Sequence, residues 1–197
     1  MNPSHFAYAS TLLSFDDGPG PSTPALLDVL RQAKCVATFF VLGKNLKQAP
    51  ELALRLLKEG HVLGNHTWSH ARPGVLSPVE LIQEIEATDV LIQGIRHQAG
   101  LPESAAIPLR LPYGLIHQDP RLSALAQLGR SHTGWTAIVD DWQRPVPSAV
   151  SLCQAMRMHI DTQNALGQVA RLCLHDSSRH GEARPETVEA VRLLLLA

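Results

Sequence analysis

Short apolar runs alternate with stretches of helical period along almost the whole chain. The runs cover Thr11 to Phe15, Val36 to Leu42, His61 to Gly64, Ala106 to Leu111, Thr133 to Val139 and Gln168 to Leu174. Several are almost continuously apolar, which is how strands buried on both faces read, and such strands belong to parallel sheets. The stretches between them open on helix-starting chemistry. Thr23 precedes Pro24 as a cap, with Leu26, Leu27 and Leu30 on one face. Pro50 opens a second helix with Leu52, Ala53, Leu56 and Leu57 inward, closed by Gly60. Ser77-Pro78-Val79-Glu80 joins a capping box to a first-turn proline, and Leu81, Ile85, Thr88, Ile92 and Ile95 keep the helical period behind it. Asp119-Pro120, Ser148 and Pro185 open three more, the last with Val188, Val191 and Leu195 inward. Repeated strand-then-helix units in a chain this size make an α/β fold, either a small, incomplete (β/α) barrel or an open doubly wound sheet. No G-x-G-x-x-G follows the first strand, which counts against a dinucleotide fold.

The 197 residues suit one domain, 1–197, with no repeat, charge block or Pro/Gly-rich linker to divide it. With 45% apolar and 18% charged residues, the chain has the apolar content to offset its ordering entropy. A formal charge of -1 lacks the basic excess that drives nucleic-acid binding, so no nucleic-acid partner is expected. The strongest apolar stretch, Cys35 to Leu42, is less than half the ~20 residues a bilayer span requires, so no transmembrane segment is expected. The opening MNPSHFAYAS shows neither a basic nor an apolar signal region, so the chain as it stands reads as cytoplasmic, a trimmed export signal being the alternative. Cys35, Cys153 and Cys173 are widely spaced, which indicates neither a disulfide framework nor a thiolate zinc site. Nothing in the chain speaks to its oligomeric state.

Both candidate architectures put chemistry outside the carboxyl ends of the strands, so the residues just after each run carry the functional signal. The first run ends in Phe15-Asp16-Asp17-Gly18-Pro19 and the third in Asn65-His66-Thr67-Trp68-Ser69-His70. The fourth ends in Arg110-Leu111-Pro112-Tyr113, the fifth in Asp140-Asp141-Trp142, and the sixth in His175-Asp176-Ser177. Adjacent carboxylates in a cleft need a cation, and an Asp with two His leaves coordination positions for water, as in catalytic zinc sites. A lone His pair also reads as a solvated face and an Asp pair as a solvated turn, while Arg110 alone also reads as a structural ion pair and His175 as a helix cap. Convergence of five strand ends on one rim is what favours an active site. Trp142, Trp68 and Tyr113 lie in or beside these motifs, where aromatic rings suit sugar faces, although each also reads as a packing residue.

These motifs resemble those of the NodB-type polysaccharide deacetylases, carbohydrate esterase family 4. Ser14-Phe15-Asp16-Asp17-Gly18-Pro19 resembles the family's first motif and His66-Thr67-Trp68-Ser69-His70 its second. Arg110-Leu111-Pro112-Tyr113 resembles the third, Asp141-Trp142 the core of the fourth, and Leu174-His175-Asp176 the end of the fifth. The resemblance implies a distorted, incomplete (β/α) barrel of about six or seven parallel strands, acting on an acetylated sugar or glycan by metal-dependent removal of the N-acetyl group. It implies a divalent metal, Zn2+ first with Co2+ or Ni2+ able to substitute, held by Asp17, His66 and His70. It further implies Asp16 as general base held by Arg110, the Tyr113 backbone N–H as oxyanion donor, and His175 as general acid tuned by Asp141. Tyr113, Trp142, Trp68 and Leu174 are the expected substrate contacts. Deformylation or O-deacetylation of another acylated or lipid-linked sugar is the alternative chemistry, and a non-catalytic carbohydrate-binding relic the alternative to an enzyme. Two positions depart from the family pattern: Ile138 stands where an acid is usual, with Asp140 nearby, and Cys173 replaces a larger aliphatic.

Overall fold

A computed structural model describes residues 11–104 and 106–196. The N-terminal segment read above for export signals lies outside the described residues. Five parallel strands, β1 (Thr11–Asp16), β2 (Thr38–Val41), β3 (Val62–Asn65), β4 (Ala137–Ile138) and β5 (Ala170–His175), form a sheet of order β3-β2-β1-β5-β4. The helices are α1 (Thr23–Ala33), α2 (Gly43–Gln48), α3 (Pro50–Lys58), α4 (Pro78–Gln98), α5 (Leu122–Gln127), α6 (Ala149–Ala165) and α7 (Pro185–Leu196). No helix among the described residues is long and apolar enough to cross a membrane.

The run Ala106 to Leu111, expected as a strand, keeps a single bridging residue. Leu109 pairs in parallel with Asn65 on one side and His132 on the other. Pro108 and Pro112 bracket it, and a proline has no N–H to give a ladder. Thr133 to Val139 is divided in its turn: Thr133 N–H donates to Leu109 O (2.7 Å) at one edge, while Thr136 N–H donates to Arg171 O (2.8 Å) and Val139 N–H to Cys173 O (2.8 Å) at the other. The segment supplies β4 at one edge of the sheet and reaches β3 at the other through Leu109, and so draws the sheet into the distorted, incomplete barrel, which decides against the open doubly wound alternative.

The continuous apolar runs are explained by their two faces. Leu13, Phe15, Phe39, Val41, Leu172 and Leu174 pack outward into one core beneath the helices. Their alternates face inward, where Ser14, Asp16, Phe40 and Cys173 all contact the buried Arg110. A second core of Leu81, Ile85, Leu109, Leu111, Ala124 and Leu125 seats α4 and α5.

The capping box is present, with Ser77 N–H donating to Glu80 Oε2 (2.8 Å) and Glu80 N–H to Ser77 Oγ (3.3 Å), and the five expected inward residues of α4 are its buried set. Two helix starts differ from expectation. Thr23 does not cap α1; its hydroxyl donates to Asp176 Oδ2 and accepts Gly20 N–H (2.8 Å). Asp119 is drawn into an ion pair with Arg121 (2.6 Å), so α5 begins two residues after Pro120. In α7 the inward set turns slightly, with Thr187, Ala190, Val191 and Leu194 fully buried and Val188 and Leu195 at the margin.

Candidate active site

Asp16 ends β1 with its side chain inside the barrel. Arg110 Nη1 donates to Asp16 Oδ1 (2.7 Å) and to Ser14 Oγ (2.8 Å), its Nε donates to Thr133 O (3.0 Å), and its guanidinium lies 4.0 Å from the centre of the Phe40 ring. Burial alone would push the Asp16 carboxyl up, but the Arg110 guanidinium, with His66 and His175 nearby, outweighs it and holds the group below the ordinary carboxylate range. Asp16 therefore stands ionised.

Asp17, His66 and His70 come from two loops and present ligand atoms that all lie within 4.8 Å of one another. His70 Nε2 is 3.2 Å and His66 Nε2 3.6 Å from Asp17 Oδ1, a buried atom that accepts no hydrogen bond. His66 Nδ1 donates to the Arg110 carbonyl (2.8 Å), which leaves its Nε2 lone pair free. Burial pushes the His70 imidazole down to about 4, so that ring is neutral at physiological pH. A carboxylate oxygen without a donor and two imidazoles with available lone pairs fit a divalent cation.

The loops are bent and braced to do this. Among the non-glycine residues with positive φ are Asp17 (72°), Thr67 (66°), His70 (62°) and Tyr113 (64°), a conformation costly for L-residues and worst for a β-branched one. Asn45 Nδ2 donates to the Asp17 carbonyl (2.7 Å), and Asn65 Oδ1 accepts Thr67 N–H (2.7 Å). Glu84 Oε2, from α4, accepts the N–H groups of Trp68 (3.1 Å) and Ser69 (3.0 Å). Gly18 lies against Asp176, and a Cβ there would collide with that carboxylate. Burial pushes the Asp176 carboxyl up to about 7.

On the opposite side His175 ends β5. Its Nδ1 donates to Asp141 Oδ1 (2.7 Å), its backbone N–H donates to Asp141 Oδ2 (2.8 Å), and Thr187 Oγ1 donates to the same Oδ2 (2.8 Å). Burial opposes a charged imidazole, but the Asp141 carboxylate prevails and raises the His175 pKa to about 9.

Asp16, Asp17, His66, His70 and His175 open onto one cavity of about 520 Å³. Tyr113 and Trp142 line it and are about half exposed, and the Tyr113 ring sits 4.8 Å from that of His70. Two expected substrate contacts are elsewhere. Trp68 packs on Gly43 at the start of α2, where the absent Cβ makes room for its ring. Leu174 is fully buried in the helix-facing core, because one step along a strand from His175 reverses the direction of a side chain. Cys173 is on the inner face, its thiol 3.3 Å from Asp16 Oδ2. Ile138 lines the cavity, whereas Asp140 faces a separate groove beside α6 and does not replace the acid the family pattern would have there. Trp135, Arg179 and His180 also line the cavity and were not anticipated. His180 follows the Leu174-His175-Asp176 motif by only four positions, and that closeness is its one sequence signal. His61 and His132 are structural, their Nδ1 atoms accepting Ala37 and Leu111 N–H.

A distorted parallel barrel whose rim gathers a two-histidine, one-aspartate cluster between an arginine-held carboxylate and an aspartate-held imidazole is built as a metal-dependent hydrolase. The polysaccharide deacetylase family matches residues 7–132, and this chain belongs to it. A chitooligosaccharide deacetylase of Bradyrhizobium is 34% identical over 95% of this chain and 84% of that protein. The peptidoglycan-N-acetylmuramic acid deacetylase PdaC of Bacillus subtilis is 38% identical over 66% of this chain and 26% of its own length. Among solved structures, a family 4 carbohydrate esterase from Streptomyces lividans in complex with acetate superposes with a TM-score of 0.75 at 27% identity, covering 95% of this chain and 86% of that one.

Proposed function

We propose that this chain, as a single catalytic domain over 1–197, hydrolyses the N-acetyl group of an N-acetylglucosamine-type glycan, releasing acetate and leaving a free amine. The observation that carries the reading is the position of the Asp17, His66 and His70 cluster between two oppositely tuned proton carriers, Asp16 and His175. The family relationship supports it. Asp17, His66 and His70 are assigned to the divalent cation, with Zn2+ the native ion and Co2+ or Ni2+ as substitutes, because two imidazoles and one carboxylate suit it. When bound, such a cation supplies Lewis acidity, which makes water a nucleophile near neutral pH and polarises an amide carbonyl.

The chain's own residues do the rest. Asp16, kept ionised by Arg110, accepts a proton from the attacking water as its oxygen bonds to the acetyl carbon. The Tyr113 backbone N–H donates to the oxygen that becomes negative. His175, protonated through Asp141, gives its proton to the nitrogen as the carbon–nitrogen bond breaks, since an amine leaves poorly without one. Trp142 and the Tyr113 ring flank the sugar at the mouth of the cavity.

The test is acetate release from N-acetylated chitooligosaccharides, lost with chelator and restored by Zn2+ or Co2+. Metal-loaded protein that frees no acetate from chitin oligomers, peptidoglycan or small acetylated sugars would overturn the reading.

A further inference from the structure

Leu111, Pro112, Tyr113 and Gly114 form one tight turn at the cavity rim, closed by Gly114 N–H donating to Leu111 O (3.1 Å). Proline at its second position and a positive φ at its third, 64° at Tyr113, make it a type II turn. A type I turn would suit these residues better, because it needs no left-handed tyrosine. The two types differ by about half a turn of the peptide between Pro112 and Tyr113. In a trans peptide the C=O and N–H point opposite ways, so that rotation decides which side the Tyr113 N–H faces. This N–H has no acceptor among the described residues, and Tyr113 lines the cavity.

Arg121, just before α5, holds the same peptide by its carbonyl. Its Nη1 donates to Pro112 O (2.7 Å) and its Nη2 to Gly114 O (2.5 Å), so one guanidinium grips the carbonyls on both sides of Tyr113. The fork is itself fixed. Nε donates to Asp119 Oδ1 (2.9 Å), Nη2 to Asp119 Oδ2 (2.6 Å), and the Arg121 N–H also donates to Oδ1 (2.9 Å). These hydrogen bonds hold the Asp119 carboxyl down to about 2, so the pair stays charged although both residues are buried. Stabilisation explains such a pair poorly, since desolvation offsets its attraction. What it adds is a choice between two turn geometries. A cation on the carbonyl also polarises the amide and makes its N–H a stronger donor.

We propose that Arg121 is a positioning residue: by gripping Pro112 O and Gly114 O it keeps the turn in the form that directs the Tyr113 N–H away from Arg121 and toward the oxygen that becomes negative. This role rests on the deacetylase reading above and adds the residue that orients its oxyanion donor.

The experiment compares wild type, Arg121→Met and Arg121→Lys, metal-loaded, on chitotetraose. In Arg121→Met kcat should fall by about 10²-fold with KM unmoved, because the contact is made in the transition state. Lysine keeps the charge but not the fork, so Arg121→Lys should lose less. NMR reads the turn independently of turnover: the NOE from Pro112 Hα to the Tyr113 N–H is strong in a type II turn and weak in a type I turn, and it should weaken in Arg121→Met. Glycine at 113 removes the left-handed strain, so Arg121→Met should cost far less kcat in a Tyr113→Gly background. Unchanged kcat in Arg121→Met, a lost kcat with the NOE intact, or an equal cost in both backgrounds overturns the proposal. If Arg121→Met does not fold, Arg121→Lys carries the same comparisons, and wild-type kcat with an intact NOE there overturns it. If wild type frees no acetate, the deacetylase reading fails, and the NOE still decides whether Arg121 sets the turn.

Discussion

Asp16 and His175 are register partners at the ends of the neighbouring strands β1 and β5, and each is buried against one oppositely charged side chain. Their proton affinities are nevertheless driven in opposite directions. Arg110 keeps Asp16 below the usual carboxylate range, whereas Asp141 lifts His175 to about 9. Desolvation opposes the charged form of both, so it is the sign of the partner that separates them. An enzyme that must take a proton from water and return one to an amine needs such a division, with the base empty and the acid loaded at the same pH.

Removing either carrier should break the comparison most severely. Asp16→Asn and His175→Ala are each expected to lower kcat by about 10²- to 10⁴-fold, with circular dichroism unchanged. The double variant should lose far less than the product of the two, because the groups act as a unit. Near-normal turnover in His175→Ala would reassign the acid.

The pairing on the β1 side is next. Arg110→Met leaves Asp16 buried without its cation, and chemical denaturation should show a loss of about 3–5 kcal/mol. The pair is worth testing at several pH values. A depressed carboxyl contributes stability above its unfolded pKa and loses it as pH falls through the folded value, so the gap between wild type and variant should close in acid.

On the β5 side the sign reverses. The raised His175 stabilises the fold below the ordinary imidazole value, and this contribution is lost as pH rises through about 9. Activity should likewise persist to about pH 9, and in Asp141→Asn its alkaline limb should move down toward 6.5, costing about tenfold or more at pH 8. An unmoved limb would show that Asp141 does not set the acid. The smallest effect is expected from Thr187→Val, which removes one hydrogen bond to Asp141 and should cost about 1 kcal/mol with a slight shift of the same limb.

That Asp16, His175, Arg110, Asp141, Asp17, His66 and His70 would gather on one rim was legible from one rule, that chemistry follows the carboxyl ends of buried strands. The supports were not. Asn45, Glu84 and Thr187 lie on helices, where nothing in their local pattern distinguishes them from ordinary surface or capping residues. Thr23 read as a helix cap because the cap pattern is local, while Asp176, the partner that claims its hydroxyl, is over 150 positions away. Trp68 and Leu174 show the converse error: adjacency to a motif in sequence did not survive the two-residue alternation of a strand or the packing of a ring onto Gly43.

From its order of residues alone the chain specified a parallel strand-and-helix fold, the helix faces and the rim motifs, because periodicity, capping and β-end placement are short-range properties. Which elements the segment 132–139 would join and which acid would face which base were decided only on folding. Those outcomes depend on distances between residues far apart in the chain and on the water excluded from between them, and neither is encoded in any local stretch.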